Sequence, residues 1–135
     1  MSAIRCENLR LDDTYTVIHN DIDLKNLMSS AMSADCYVHF TGRLSCRYAV
    51  IEVKIGRSVR LSKALKQLEE TVKFLINKGK RIDRVIIYMI GSIAALERRR
   101  YEVINNILFF KRSGKRKPCL VLKRYRVEVI RRSRA

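Results

Sequence analysis

Two acids and a lysine in the first half of the chain have types and spacing suited to binding a cation and a phosphate. Asp35 precedes a short run of β-forming residues, and Glu52 and Lys54 stand two positions apart in the next run. Carboxylate oxygens bind hard divalent cations, and a nearby lysine holds water or offsets phosphate charge. These three residues therefore predict a site for a divalent cation next to a phosphate. The competing interpretation is a solvated Glu–Lys pair on a polar strand face.

A β-hairpin is predicted to position these acids. Cys36–Phe40 and Arg47–Ile55 are rich in β-forming residues, and the glycine-first pair Gly42-Arg43 between them fits a two-residue type II′ turn. In the second strand, side chains alternate between a core face and a face that mixes apolar with charged residues. The second face is typical of a half-open site.

The turn also sets which residues oppose each other. With Gly42-Arg43 at its centre, Asp35 lies opposite Val50 and diagonal to Glu52, with Cα atoms roughly 7–8 Å apart. Residues two apart on one strand share a face, so Lys54 joins the two acids. The hairpin therefore predicts two carboxylates able to share one divalent cation.

The remaining elements are predicted from apolar periodicity and capping residues. First comes a short helix capped by Asp21 or Asp23, and after the hairpin a helix over Leu61–Lys78, with Ser58 as its cap and Gly79 at its end. A buried strand over Arg84–Ile90 follows, parallel to the strand before that helix. The last elements are a second helix over Ile93–Lys111, a basic loop over Ser113–Pro118, and a final strand or strand pair over Cys119–Ile130. This order predicts one α/β domain with a mixed sheet over residues 1–135.

The motif order resembles the PD-(D/E)xK nuclease superfamily over roughly Asp21–Gly91. Asp35 precedes Ile51-Glu52-Val53-Lys54 at the end of a hydrophobic strand, and the following helix holds the only glutamine of the chain, Gln67. The family core is a helix, a β-hairpin, a helix and another strand, so the resemblance implies a restriction-endonuclease-like core. The chain departs from the family where Ala34 replaces the usual proline.

The resemblance also implies roles for these residues. Asp35 and Glu52 would bind Mg²⁺ or Mn²⁺, with the backbone carbonyl of Val53 as a further ligand. Lys54 would assist the nucleophile, and Gln67 would orient water or phosphate. Some members add a glutamate from the first helix, where this chain offers only Asp21 or Asp23.

The charge predicts a nucleic-acid partner. Lys and Arg number 29 against 13 Asp and Glu, a formal net charge of +16, and such an excess usually has a polyanion to neutralise it. The positive groups are Lys78–Arg81, Arg98–Arg100, Lys111–Lys117 and Arg131–Arg134. The residues predicted to contact nucleic acid are Lys80, Arg81, Arg98, Arg99, Arg100, Lys115, Arg116 and Lys117. From about residue 131, a basic disordered tail is expected to gain order on nucleic acid.

These features predict a metal-dependent DNA endonuclease acting on branched or duplex DNA. Small basic family members include archaeal Holliday-junction resolvases of DNA recombination, which act as homodimers, and the length and charge of this chain resemble theirs. The first alternative is a basic nucleic-acid-binding protein without catalysis. The second is the same fold acting on RNA or single-stranded DNA.

Other classes of protein are disfavoured. No stretch is apolar and long enough to span a membrane, and the N-terminus lacks an apolar signal core, so an intracellular, cytoplasmic protein without a membrane partner is expected. The four cysteines form no C-x-x-C pair and complete no zinc motif, which predicts free, mostly buried thiols. Few glutamines and many charges fit a thermophile.

Overall fold

The computed structural model describes residues 4–133, and it is a mixed α/β structure with nine strands and two α-helices. A 3₁₀ helix at Cys6–Asn8 comes first. The elements that follow are β1 (Tyr15–His19), α1 (Asp21–Met28), β2 (Cys36–Phe40), β3 (Tyr48–Val59), α2 (Leu61–Asn77), β4 (Arg84–Ile93), β5 (Tyr101–Ile104), β6 (Ile107–Arg112), β7 (Lys115–Pro118), β8 (Leu120–Val121) and β9 (Tyr125–Arg131).

The strands form a mixed sheet in the order β1-β2-β3-β4-β9-β6-β5, with β7 beside β6 and β8 beside β9. The central pairs β3–β4 and β4–β9 are parallel, and the remaining pairs are antiparallel. The predicted parallel strand after α2 is therefore confirmed. One core cluster joins α2 to Val50 and Ile87, and a second on the opposite face contains Ile51 and Ile86. Burial on both faces explains the continuous apolar runs of β3 and β4.

Helix α2 confirms the predicted amphipathic helix and its beginning at Leu61, but not the predicted cap. At its end, Gly79 has a φ of 75°, and the backbone N–H of Lys80 donates to the carbonyl of Leu75 at 2.9 Å, as in a Schellman motif. The Ser58 cap is wrong because β3 continues to Val59. The carboxylate of Glu97 instead accepts hydrogen bonds from the first backbone N–H groups of α2.

Helix α1 begins and ends with local caps. Asn20 is its N-cap residue and accepts a hydrogen bond from the backbone N–H of Asp23 at 2.9 Å, so the predicted aspartate cap is wrong. Ser29, with a φ of 50°, follows its last turn. Neither helix within residues 4–133 is long and apolar enough to cross a membrane.

The second predicted helix, over Ile93–Lys111, is wrong. Strand β4 continues to Ile93, and β5 and β6 form a hairpin joined by Asn105-Asn106, whose φ angles are 50° and 63°. Two consecutive positive φ values are the geometry of a type I′ turn, which asparagine tolerates. The β-branched and aromatic residues around this turn pair as strands. The predicted loop over Ser113–Pro118 is also wrong, because its last four residues form β7.

The chain after Pro118 confirms the predicted strand pair, as β8 and β9. The prediction of a disordered tail from about residue 131 is wrong for Arg131 and Arg132. Arg131 ends β9, and the backbone N–H of Arg132 donates to Met89 at 2.9 Å while its guanidinium contacts Asp12 at 3.2 Å. Arg134 lies outside the described residues.

Two cysteines correct the prediction of four free thiols. Cys6 and Cys36 form a disulfide that links the 3₁₀ helix to β2. The two cysteines are 30 residues apart and match no sequence motif. They come together because the N-terminal segment packs against the sheet. Cys46 is free and exposed, whereas Cys119 is partly buried, which raises the pKa of its thiol to about 11.

Strands β3 and β4 bend together at two glycines. Gly56 and Gly91 are paired and have φ values of 143° and 130°. A Cβ atom on Gly91 would lie 1.8 Å from the carbonyl oxygen of Gly56, so only glycine fits there. The register of the two strands is interrupted just beyond this point. The bend separates the central part of β3 from its last residues.

Candidate active site

The β2–β3 hairpin holds both acids, in a register different from the predicted one. Cys36 pairs with Ile51, and the backbone N–H of Phe40 donates to the carbonyl of Arg47 at 2.6 Å. The connection is therefore a loop over residues 41–46, and the two-residue turn at Gly42-Arg43 is wrong. Asp35 stands opposite Glu52 instead of Val50, a shift of two residues.

Long-range contacts explain the wider loop. The Asp83 carboxylate accepts hydrogen bonds from the backbone N–H groups of Arg47 and Tyr48 at 3.0 and 3.1 Å. Arg43, at the loop tip, forms an ion pair with Asp13 at 3.2 Å. Because the resulting register shift is even, the side chains keep their faces. The prediction that Asp35, Glu52 and Lys54 share a face therefore stands, and the two acids are closer neighbours than the predicted diagonal.

The Asp35 carboxylate is fixed at the end of β2. Its Oδ2 accepts a hydrogen bond from the backbone N–H of Val53 at 2.7 Å, and its own N–H donates to the carbonyl of Ile51 at 3.2 Å. The preceding residue, Ala34, donates its N–H to the hydroxyl of Thr71 on α2 at 2.6 Å. Backbone and helix together set where this carboxylate points.

Glu52 is a buried acid. It is 2% exposed, so the expectation of a half-open face is wrong here, because α2 covers it. Its Oε2 lies 3.1 Å from the Lys54 Nζ, whereas its buried Oε1 has no hydrogen-bond partner within the described chain. The pKa of the Glu52 carboxyl is raised to about 8, mainly by burial and secondly by the negative charge of Asp35, while the charge of Lys54 opposes the rise.

Asp35 is perturbed in the same direction. Burial raises its pKa, while the hydrogen bond from Val53 opposes the rise. The nearby charge of Asp21, in the first turn of α1, adds a smaller increase in this pKa. Two adjacent acids that both resist ionisation favour either a shared proton or a cation between them.

Lys54 is held by two acceptors. Its Nζ donates to Gln67 Oε1 at 2.8 Å and lies 3.1 Å from Glu52 Oε2. An ammonium group has three N–H donors, so one remains for water or phosphate. Because the Gln67 oxygen faces Lys54, the NH₂ group of Gln67 keeps its two donors. The structure therefore brings together all four residues that the sequence singled out.

The predicted backbone ligand, Val53, lies at the same edge. The Ile51 carbonyl points towards β2, and alternate residues of a strand point to the same edge, so the Val53 carbonyl does too. Beside Val53, β2 has already ended. Two carboxylates, one with an unpartnered oxygen, and this carbonyl form an all-oxygen donor set that fits Mg²⁺ or Mn²⁺. No cluster of three or more His, Cys, Asp or Glu side chains suited to a metal occurs within residues 4–133, so water would complete the coordination.

Sequence reasoning missed Thr71. It is fully buried in α2, four residues after Gln67, and residues at this spacing lie on one helix face. One face of α2 thus holds Lys54 through Gln67 and the Asp35 segment through Thr71. The sequence did contain a signal for Thr71: it is a polar residue within the apolar stripe of α2, four positions after Gln67.

Ion pairs divide the residues predicted to contact nucleic acid. Arg81 is paired with Asp83 at 3.2 Å, and Arg116 is paired with Glu102. The other six form no ion pair within the described chain: Lys80, Arg98, Arg99, Arg100, Lys115 and Lys117. Lys80 and Arg81 follow the end of α2, whereas the Arg98–Arg100 turn adjoins its beginning, about 25 Å away along the helix. The structure therefore does not gather these residues on one small surface.

Comparison of the chain with protein-family models, with curated proteins and with solved structures found no match.

Proposed function

We propose that the chain is a metal-dependent endonuclease that hydrolyses phosphodiester bonds of DNA, built on a PD-(D/E)xK, restriction-endonuclease-like core. The observation that carries the proposal is the pairing of Asp35 with Glu52, a buried acid whose Oε1 has no partner within residues 4–133. Burying an acid in this way is costly unless a ligand compensates it.

The geometry supports a functional site over a solvated ion pair. The Glu52 side chain is 3% exposed and that of Lys54 is 19% exposed, so solvent screens their interaction far less than on an open surface. Gln67 and Thr71 add polar contacts inside an otherwise apolar helix face. Acids with raised pKa values beside an oriented lysine are typical of catalytic centres.

The proposed reaction is hydrolysis by direct attack of water. The water oxygen forms a bond to phosphorus and gives up a proton to the solvent, the bond from phosphorus to the leaving oxygen breaks, and that oxygen keeps the electron pair and takes a proton from solvent water. A bound divalent cation would polarise the phosphate and stabilise charge on the leaving oxygen. The remaining N–H of Lys54 would donate to the attacking water or to a phosphate oxygen. The NH₂ group of Gln67 would also donate to the water or the phosphate and would hold it in position for the attack.

DNA is the proposed substrate because of the +16 charge and the predominance of unpaired basic residues. The resemblance to small junction resolvases makes branched DNA the first substrate to test, beside duplex DNA. One catalytic centre cuts one strand, so symmetric cutting of two strands requires a homodimer.

The test is cleavage of labelled branched, duplex and single-stranded DNA and of RNA, with Mg²⁺ or Mn²⁺ and then with EDTA. Asp35→Asn and Glu52→Gln should each lower the cleavage rate at least about 100-fold, since each tenfold corresponds to about 1.4 kcal/mol of transition-state stabilisation. Glu69→Gln is the matched control, because Glu69 is an exposed acid of α2 with no ion pair among residues 4–133.

Each outcome separates the proposal from its alternatives. Cleavage that survives EDTA, or full activity in both site variants, would overturn the assignment of the site. Tight DNA binding without cleavage of any substrate would favour the non-catalytic nucleic-acid-binding protein. Cleavage confined to RNA or single strands would keep the site and change the substrate.

A further inference from the structure

A groove of about 560 Å³ opens where β3 leads into α2. Its lining includes Ser58 and Arg60 from this connection, Ser62 from the helix, and Glu97, Arg99 and Arg100 from the turn after β4. All three arginines are exposed. The groove is separate from the acidic pair and has the opposite charge.

The three groove arginines have no acidic partner within residues 4–133. The single acid in the groove, Glu97, is engaged elsewhere: its carboxylate accepts hydrogen bonds from the backbone N–H groups of Leu61 and Ser62 and from the Ser62 hydroxyl. By contrast, Arg84 is bound to Glu128 through two hydrogen bonds, at 2.8 and 2.9 Å. The groove therefore keeps a positive charge that the fold does not neutralise.

The groove lies on the same side of the sheet as the acidic pair. Ser62 in the groove belongs to α2, and this helix covers the face of β3 that carries the acidic pair, since Gln67 accepts a hydrogen bond from Lys54. Four residues at about 3.3 Å each put Ser58 about 13 Å from Lys54 along the strand. The Gly56 bend lies between them. The rise of about 3.4 Å per nucleotide is measured along the DNA axis, and the backbone follows a longer path, so this separation corresponds to at most about four nucleotides.

The positive surface continues from the groove onto the β6–β7 hairpin. The backbone N–H of Lys111 donates to the carbonyl of Arg100 at 2.7 Å, which joins the two regions. The hairpin turns at Ser113-Gly114 and carries Lys115 and Lys117, both exposed and outside any ion pair in the described chain. A strand of DNA leaving the groove would meet these lysines next.

We propose that this groove binds the backbone phosphates of a DNA strand within about four nucleotides of the bond that is cut, through Arg60, Arg99 and Arg100. The distance between the groove and the cut rests on the proposed nuclease function, whereas the binding of DNA in the groove does not. Hydroxyl groups of Ser58 and Ser62 supply further donors to phosphate oxygens. A concave channel continuous with a polar face fits a single strand of backbone, whereas a membrane presents a broad flat surface.

The first test measures DNA binding in EDTA, so that no cleavage is needed. The variant Arg60→Gln/Arg99→Gln/Arg100→Gln is compared with Arg5→Gln/Lys123→Gln/Arg124→Gln, which removes the same charge. Loss of three phosphate contacts should flatten the slope of log K against log salt by about 2–3, and lower affinity at least about tenfold more than the control does. Circular dichroism and the unfolding midpoint confirm that both variants are folded.

Equal losses of DNA affinity in the two triple variants would overturn the assignment of the groove as a binding site. The losses would then reflect only the change in net charge. A parallel measurement with anionic phosphatidylserine vesicles tests the membrane. If the groove variant lost vesicle binding alone and kept DNA binding, the assignment to DNA would be wrong. A groove effect on binding without any cleavage would retain this inference and reject the proposed nuclease.

The second test locates the groove relative to the cut. With a long substrate, Arg60→Gln should raise KM several-fold with little change in kcat, because the contact is remote from the reacting phosphate. As substrates are shortened step by step on one side of the cut, this penalty should disappear at a length of at most about four nucleotides, whereas shortening the other side should not remove it. A penalty of the same size on every substrate would place the arginine elsewhere.

Discussion

Replacing Glu52 with glutamine should stabilise the metal-free protein at neutral and alkaline pH. The wild-type carboxyl is 2% exposed and its Oε1 has no partner within the described chain. Glutamine has nearly the same size, retains an oxygen for Lys54 and carries no charge. The variant therefore removes the cost of burying a carboxylate while keeping the packing.

The pH dependence follows from the direction of the pKa change. Burial raises the pKa of Glu52 from 4.5 to about 8, so the folded protein holds this proton more tightly than the unfolded chain does. Below pH 4.5 both states are protonated, and the wild type has its full stability. As pH rises from 4.5 towards 8, the unfolded chain releases the proton first, and the free energy of unfolding falls.

The size of the effect is set by the same values. Each pH unit in this range lowers the free energy of unfolding by about 1.4 kcal/mol, which gives about 3 kcal/mol by pH 7. Glutamine does not titrate, so the variant escapes this loss. For a chain of this length, about 3 kcal/mol corresponds to roughly 10 °C in Tm.

The assay is urea and thermal unfolding of the wild type, Glu52→Gln and the exposed control Glu69→Gln in EDTA, from pH 4.5 to 8.5. The Glu52→Gln variant should gain stability over the wild type as pH rises, while the control tracks the wild type. A variant equal to or less stable than the wild type at pH 7, with no dependence of the difference on pH, would refute the account of a strained buried acid. Added Mg²⁺ should raise the Tm of the wild type and leave that of the variant unchanged.

Three further substitutions test the contacts around the site. Thr71→Val should cost about 1–3 kcal/mol in urea unfolding and lower cleavage, because it leaves the buried N–H of Ala34 without an acceptor, whereas Thr71→Ser should restore both. Gly91→Ala should lower the free energy of unfolding by more than about 3 kcal/mol, and Gly114→Ala by about 1 kcal/mol. Both glycines have a positive φ, but only at Gly91 would an added Cβ atom clash with the backbone. Similar losses in the two variants would show that this clash does not matter. Glu97→Gln should lower stability by about 0.5–1 kcal/mol at low salt, with the difference shrinking in high salt, as expected for a charge at the N-terminus of α2.

The sequence predicted the centre of the fold because its signals there are local and periodic. Alternation along Tyr48–Ile55 and the apolar stripe of α2 determine which faces are buried, and Gly79 ends the helix by its own conformational freedom. The shared face of Asp35 and Glu52 followed from alternation together with the predicted hairpin register. It survived a wrong turn because the error in register was even.

The rest depends on contacts between distant parts of the chain. Asp83 stabilises the hairpin loop, Thr71 holds the segment before Asp35, and Glu97 caps α2. Of these three, only Thr71 leaves a local signal, as a polar residue in the apolar stripe of α2. The predicted helix after β4 failed for another reason: its apolar spacing fits both helix and strand, and Asn105-Asn106 decides for a hairpin.

The capping of α2 by Glu97 makes the order of synthesis matter. The acceptor for the first N–H groups of the helix lies 36 residues downstream of Leu61. A nascent chain that has emerged only through β3 and α2 therefore contains Gln67 and Thr71 but lacks the residue that completes their helix. When Glu97 docks, it brings Arg99 and Arg100 to the groove in the same step. The groove is therefore complete only after the turn that follows β4 has been synthesised, whereas the strands and the helix that hold the acidic pair all precede that turn in the chain.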